Sequence, residues 1–80
     1  MTRPPKTGDA LECTLTNAVF SVVGVRESGR GAGGLGFDAV RWEIAMVCVV
    51  APYGMPTLGD MHLIGGTWGS LEGDYTLLTV

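Results

Sequence analysis

The sequence predicts a mainly β protein, built as a small antiparallel sheet or open barrel of about five strands. Three observations lead to this fold class. Apolar and polar residues alternate in several short segments, which is the period of a strand with one buried face. The run Val47-Cys48-Val49-Val50 is rich in β-branched residues, which favour strands. Thirteen glycines among 80 residues separate these segments at spacings typical of turns.

The first predicted strand follows a proline-containing start. Pro4 and Pro5 fix their own φ angles and donate no backbone hydrogen bond, so we expect residues 1–9 to be a flexible lead-in. Residues 10–80 are then a single small β-rich domain. Leu11, Cys13 and Leu15 alternate with polar residues and predict a strand, and Asn17-Ala18 predicts the turn after it.

The second predicted strand is Val19–Val25, and it ends before a glycine-rich segment. Gly24 inside an otherwise β-branched run indicates a bulge or a close approach of another backbone. Five glycines in the nine residues Ser28–Gly36 predict a loop.

Residues 38–50 fit two patterns. Val40, Trp42, Ile44 and every second residue to Val50 lie on one face of a strand. Several of the same residues also fit a helical stripe with Asp38 as its N-cap. The β-branched run at the end of the segment favours a strand, and a helix near residues 38–50, giving an α+β protein, is the alternative.

Two more strands are expected after the turn at Pro52–Pro56. In the first, Met61 and Leu63 alternate with Asp60 and His62, which sets the histidine on the polar face beside the aspartate. This strand extends to about Trp68. A connection and a last strand complete the chain, with the ranges Gly69–Asp74 and Tyr75–Val80.

The charges are distributed unevenly along the chain. All five Lys and Arg residues lie before residue 42. Residues 42–80 contain four acidic residues and no Lys or Arg. Because nucleic-acid binding requires clustered basic residues, we expect no direct nucleic-acid partner. A protein with a basic surface is the expected partner, because it complements the acids. The proposed partner-binding residues are these acids with three aromatic anchors from the same half: Glu43, Asp60, Glu72, Asp74, Tyr53, Trp68 and Tyr75.

Candidate catalytic and ligand sites are few. Residues 31–36 have the glycine spacing of a dinucleotide loop but lack the acidic residue expected about 20 residues later. Arg26 and Arg30 flank this loop and form a weak anion-binding candidate. Cys13 and Cys48 lie in apolar runs and are expected to be buried thiols, with a single disulfide as the alternative. His62 has no partner at zinc-site spacing. We therefore expect no catalytic residue, metal or cofactor, and no enzyme activity.

The expected localisation is cytoplasmic. No leader-like segment opens the sequence, and the longest uncharged apolar run, Ile44–Ala51, is much shorter than the ~20 residues of a membrane helix. We also expect a homodimer or small homo-oligomer, because a chain of 80 residues forms only a small core. Leu77, Leu78 and Val80 make the last strand apolar, so it should pair with a sheet edge of its own or a neighbouring subunit.

Two resemblances concern the segment Gly65–Leu77. Its residue pattern is similar to that of a strand pair in dirigent and allene-oxide-cyclase-like barrels. Within it, Gly66-Thr67-Trp68 resembles the glycine-x-tryptophan element of lipocalins. Both imply a glycine-turned β-hairpin, and no functional residue is carried over from either family. In length, acidity and lack of catalytic groups the chain also resembles small inhibitors encoded by phages and mobile elements, anti-CRISPR proteins among them.

These observations lead to one functional hypothesis and two alternatives. The first is a non-enzymatic acidic module that occludes a basic surface on a protein partner. The second is an oligomeric structural subunit, such as a capsid-associated or decoration protein. The third is a small ligand-binding β-barrel.

Overall fold

The computed structural model describes residues 4–32 and 38–78, which form five antiparallel strands in one open sheet and one short helix. The elements are β1 (Ala10–Cys13), β2 (Val19–Ala32), β3 (Asp38–Val50), β4 (Met61–Thr67), α1 (Trp68–Leu71) and β5 (Tyr75–Leu77). The strand order across the sheet is β4-β3-β2-β1-β5. The prediction of a mainly β fold is confirmed.

The segment that fitted two patterns is strand β3, so the helical alternative is wrong. β3 lies between β2 and β4 and pairs antiparallel with both. Its backbone N–H and carbonyl groups therefore form hydrogen bonds with a strand on each side. Ile44, Met46 and Cys48, at every second position, are buried on one face. Tertiary pairing decides between the two periodicities here, because only a strand can bury these residues against both neighbours.

The hairpin of β2 and β3 is longer than the sequence predicted. Its register shifts between Val22 and Gly24, which confirms the predicted bulge at Gly24. The prediction of a loop from Ser28 is wrong for residues 28–32, because β2 continues to Ala32 and pairs with residues 38–41 of β3. The pairing of the returning strand outweighs the low strand propensity of glycine. The rest of the predicted loop lies outside the described residues.

The turn after β1 forms at the predicted place. Asn17 has a positive φ of 58°, and its backbone N–H donates to the carbonyl oxygen of Cys13 at 2.9 Å. Asparagine tolerates this left-handed conformation better than most residues. β1 ends at Cys13, so Leu15 belongs to the turn and not to the strand.

One face of the sheet, the inner face, holds the hydrophobic core. Phe20 and Val22 of β2 and the inward residues of β3 form its centre. The helix α1 covers one part of it with two buried side chains, Trp68 and Leu71. The buried apolar residues are Leu11, Ala18, Phe20, Val22, Ile44, Met46, Cys48, Trp68 and Leu71.

The connection predicted at residues 69–74 contains part of α1, and β4 ends one residue earlier than predicted, at Thr67. The expectation of a β-hairpin in residues 65–77 is wrong, because β4 and β5 lie at opposite edges of the sheet and do not pair. Thr67 is the N-cap of this helix, because its hydroxyl oxygen accepts the backbone N–H of Ser70 at 3.3 Å. The cap satisfies one of the first N–H groups, which have no partner inside a helix.

The alternation of β4 is correct in period but opposite in direction to the prediction. His62 and Ile64 pair with the inward residues Met46 and Ile44, and the His62 ring lies 5.2 Å from the Phe20 ring, centroid to centroid. Met61 and Leu63 point to the other face, the outer face, and are exposed. The prediction that His62 lies on the polar face is therefore wrong.

Residues 4–9 pack against the sheet. The N–H of Gly8 donates to the carbonyl oxygen of Val22 at 2.9 Å. The N–H of Val22 in turn donates to the carbonyl oxygen of Asp9 at 2.8 Å. Asp9 is buried, and its carboxylate accepts the backbone N–H of Lys6 at 2.9 Å. At the other end β5 is short and pairs with β1, within its own sheet. Residues 79 and 80 of the predicted last strand lie outside the described residues.

Candidate protein-binding surface

Three connecting segments lie together at one end of the sheet. We call residues 14–17, 51–60 and 72–74 the loop end. The pairing places them there: Val19 lies opposite Val50, and the N–H of Thr14 donates to the carbonyl oxygen of Asp74 at 3.0 Å. We call residues 24–32 and 38–45, at the far end of the long hairpin, the hairpin end.

Large apolar side chains of the loop end are exposed. Leu15 is 86% exposed, Tyr53 and Met55 are each 74% exposed, and Leu58 is 60% exposed. Single exposed apolar residues are common on protein surfaces, whereas several on one surface mark an interaction site more often. The loop end therefore has the apolar component that a protein interface requires.

The charges of the two ends differ. The loop end contains three acids, Asp60, Glu72 and Asp74, and no Lys or Arg. The hairpin end contains three bases and three acids, so its formal charge is zero. Those six residues are Arg26, Arg30, Arg41, Glu27, Asp38 and Glu43. Of these two ends, only the loop end carries a net negative charge, and it is also the end where Leu15, Tyr53, Met55 and Leu58 are exposed.

The structure brings four of the proposed partner-binding residues to the loop end. Asp60, Asp74 and Tyr53 are exposed there. Glu72 is half-buried at the end of α1, where its N–H donates to the carbonyl oxygen of Trp68 at 2.8 Å.

Two of the proposed aromatic anchors contribute less surface than expected. Trp68 is only 6% exposed because it belongs to the core. Tyr75 is half-buried and stacks edge-on against Phe20, with ring centroids 6.3 Å apart. Burial, followed by the charges of Cys13 and Asp74, raises the pKa of Tyr75 above its ordinary value. Both aromatic rings line a cleft of about 140 Å³ together with Glu72.

Glu43 is separated from the other proposed acids. It lies on the outer face opposite Arg26, whose Nε donates to its Oε2 atom and whose Nη2 forms an ion pair with the same oxygen. This hydrogen bond and the charge of Glu43 raise the pKa of Arg26. The pair also occupies one arginine of the proposed anion site. Arg30 lies in β2 opposite Val40, and its side chain is outside the described part of the chain.

Both cysteines are free thiols, so the disulfide alternative is not realised. Cys48 is buried, as expected, and donates to the carbonyl oxygens of Val50 and Pro56 at 3.5 and 3.7 Å. Cys13 is only half-buried. Burial raises the pKa of the Cys13 thiol, but hydrogen bonds from Thr16 and the backbone of Leu15 outweigh it, so the pKa lies below the ordinary 9.0.

The histidine and the acidic residues form no metal centre in the described structure. Within residues 4–32 and 38–78, no three His, Cys, Asp or Glu side chains are grouped so that they could hold a metal ion. The Nε2 atom of His62 is buried and has no hydrogen-bond partner among the described residues. His62 and Asp60 do not form the polar-face pair that the sequence suggested, because the imidazole faces inward.

Sequence reasoning missed the apolar residues of the loop end. The alternation predicts a strand at Leu15 and makes no prediction for Met55 or Leu58. The turn residues Asn17, Pro56 and Gly59 lie within two positions of these three residues and indicate their exposure, because turns run over protein surfaces.

None of the helices in the described ranges is both long and apolar enough to cross a membrane. Comparison with family models, with curated proteins and with solved structures gives no match to this chain.

Proposed function

We propose that this protein is a non-enzymatic protein-binding module that docks its loop end on a basic surface of a protein partner and acts by occluding that surface. The observation that carries the proposal is the composition of the loop end: exposed Leu15, Tyr53, Met55 and Leu58 beside Asp60 and Asp74, with no basic residue in its three segments. The basic-surface partner expected from the sequence remains part of the proposal.

The two kinds of residue have different roles in such an interface. The apolar side chains supply the buried contact area, and Tyr53 is of the residue type that most often contributes strongly to binding. The acids increase the association rate and reject acidic surfaces. Glu43 and Trp68 are left out of the proposed contact surface, because Arg26 neutralises Glu43 and the core buries Trp68.

The test compares partner capture by three forms of the full chain. The wild type, an Asp60→Lys/Asp74→Lys variant and an Arg41→Glu control are each immobilised and incubated with lysate of the producing cells. Bound proteins are identified by mass spectrometry. All three substitutions are at exposed positions, so each variant should keep the far-ultraviolet circular dichroism spectrum of the wild type.

We expect the wild type and the Arg41→Glu control to capture the same partner, and the double-lysine variant to lose it. With the purified partner, the association rate should fall at least tenfold in the double-lysine variant, within the range of electrostatic steering. Its dependence on salt concentration should weaken as well. Equal capture and an equal rate in a folded double-lysine variant would show that the acids play no part in binding.

The apolar residues require a separate variant. Tyr53→Ser keeps the charge of the loop end and removes its exposed ring. We expect a faster dissociation of the partner with an almost unchanged association rate, because short-range contacts act mainly after encounter.

Self-association is the second part of the proposal. The expectation of a homodimer or small homo-oligomer is supported by the open edge of β4, which is the outermost strand of the sheet. An oligomeric structural subunit would use the same edge.

A further inference from the structure

The exposed edge of β4 differs from the other open edges of the sheet. Protein sheets usually protect their edges by short strands, bulges, prolines or charged residues. β5, at the opposite edge, has only three residues. The part of β2 beyond Val22 has no strand paired on its β1 side in the described structure, and it carries two register shifts as well as Arg26 and Glu27.

β4 has none of these protections. It contains seven residues, Met61–Thr67, and pairs with β3 without a register shift. It contains no proline, lysine, arginine or acidic residue. Among the described residues, no strand pairs with its other side. An unprotected edge of this length is a template for another strand.

The backbone groups directed to this edge can be assigned from the ladder. The N–H of Cys48 donates to the carbonyl oxygen of Asp60 at 3.1 Å, so the even-numbered residues of β4 direct their backbone groups to β3. The N–H and carbonyl groups of Met61, Leu63 and Gly65 therefore point to the open edge. The side chains of the same residues lie on the outer face.

Apolar side chains accompany these backbone groups. Met61 is 62% and Leu63 is 68% exposed. Leu63 also lines a groove of about 300 Å³ on the outer face, together with Gly24 and Ala45. An added strand would cover the exposed edge and extend this apolar surface.

We infer that the occupant of the edge is a second copy of this chain, paired antiparallel through β4 about a twofold axis at Leu63. This inference identifies the surface for the self-association proposed above, and it does not depend on docking at the loop end. The pairing places Leu63 opposite Leu63 of the second copy and Met61 opposite Gly65. Of the three residues directed to the open edge, the largest therefore faces the smallest. The two β4 strands form six hydrogen bonds in this register, two at each of three residue pairs.

The charges agree with a second copy as occupant. His62 is the only titratable residue of β4, and it faces inward. Asp60, at the start of the strand, lies opposite Gly66 of the second copy. The two Asp60 residues are then six residues apart along the strand, or about 20 Å. The antiparallel arrangement therefore brings no like charges together, and each surface is complementary to itself, as a twofold interface requires.

The first experiment measures the mass of the full chain by sedimentation equilibrium between 1 and 200 µM, a range of about two decades in which weak twofold dimers dissociate. We expect the wild type to reach twice the chain mass of 8.4 kDa. Leu63→Lys places two lysines at the axis, and Leu63→Pro removes an edge N–H that β3 does not use. Each variant should weaken dimerisation at least 100-fold and keep the wild-type circular dichroism spectrum. Val23→Lys, exposed on the outer face away from the edge, is the matched control and should dimerise normally.

The second experiment tests the register by disulfide formation. Leu63→Cys should form a crosslinked dimer under mild oxidation, because the two equivalent residues face each other at the axis. Gly65→Cys should not, because the equivalent residues are then about 14 Å apart. Peptide mapping separates these links from any that involve Cys13 or Cys48.

A wild type that stays monomeric throughout the concentration range overturns the inference, as does a dimer that survives both Leu63 variants. Neither result affects the loop-end proposal, which is measured by partner capture. If monomeric Leu63→Lys captures the partner at the wild-type rate, the two surfaces act separately, as the inference expects.

Discussion

Side chains alternate along each strand between the inner and the outer face of the sheet. The two faces differ in the elements that pack over them. On the inner face, Phe20 contacts rings from both edges of the sheet, His62 on β4 and Tyr75 on β5. The helix α1 adds the buried side chains Trp68 and Leu71 to the same core. On the outer face no described element packs over Met61 and Leu63, although both are as apolar as the core residues.

This comparison shows that an apolar residue in a strand does not identify the core. Large apolar residues remain exposed outside the core, and the most exposed of them lie at the β4 edge and at the loop end. Exposed apolar patches of this kind mark interaction sites on folded proteins. Substitutions on the two faces should therefore differ in their effect on stability.

Truncation of an inner-face residue should be far more costly than truncation on the outer face. Ile44→Ala removes a fully buried side chain at the centre of β3 and should lower the free energy of unfolding by about 2–5 kcal/mol. Val23→Ala, at a position 45% exposed, should change it by less than about 0.5 kcal/mol. Urea denaturation measures both values. Similar losses at the two positions would mean that the outer face is buried in solution.

Two adjacent glycines of β4 should respond in opposite directions. Gly66, on the inner face, has a φ of 145°, a conformation that side chains disfavour, so Gly66→Ala should destabilise the fold by about 1–3 kcal/mol. Gly65→Ala would place its Cβ 3.6 Å from the carbonyl oxygen of Trp42, an ordinary contact. It should be neutral or stabilising by up to about 1 kcal/mol, because it restricts the unfolded chain. Thermal unfolding at one protein concentration compares the two variants.

Replacing the inward-facing histidine should stabilise the protein. The Nε2 atom of His62 is buried and has no hydrogen-bond partner in the part of the chain that the structure describes, and a buried unsatisfied polar atom costs about 1–3 kcal/mol. His62→Leu keeps an apolar contact with Phe20 and removes this atom. We expect a gain of about 1 kcal/mol in urea denaturation at neutral pH. A loss of stability would show that the imidazole has a hydrogen-bond partner in solution.

Stability should depend on pH through Cys13 and Tyr75, with opposite signs. The pKa of Cys13 is lowered on folding, so its contribution increases as pH rises from the folded pKa to the unfolded value near 9.0. The pKa of Tyr75 is raised, so stability falls as pH rises past the unfolded value near 10.0. The free energy of unfolding measured from pH 7 to 11 should therefore rise and then fall. Cys13→Ala should abolish the rise, and Tyr75→Phe should reduce the fall.

The smallest effect is expected for the exposed ion pair on the outer face. The Arg26 side chain is 74% exposed and that of Glu43 is 31% exposed, and an ion pair with this access to water adds little to stability and is screened by salt. A double-mutant cycle of Arg26→Ala and Glu43→Ala should give a coupling that disappears in 1 M sodium chloride. A coupling that persists in high salt would indicate that a second molecule covers the pair.

The sequence determined the fold class because alternation and β-branched residues specify strands locally. It also located the bulge at Gly24, where an interior glycine interrupts a β-branched run, and the turn at Asn17. The absence of Lys and Arg after residue 41 was equally visible. These features depend on neighbours in the chain or on composition, so no tertiary information was needed to find them.

Only the tertiary structure decided which face of each strand is buried and which charges meet. Met61-His62-Leu63-Ile64 is apolar at three of its four positions, so its own pattern hardly distinguishes the two faces. The pairing of Ile64 with Ile44 fixed the choice and turned His62 inward. Arg26 and Glu43 are 17 residues apart, and the hairpin register makes them partners. Register is a property of paired strands, and a shift of one residue reverses every side chain, so a single strand's sequence cannot specify it.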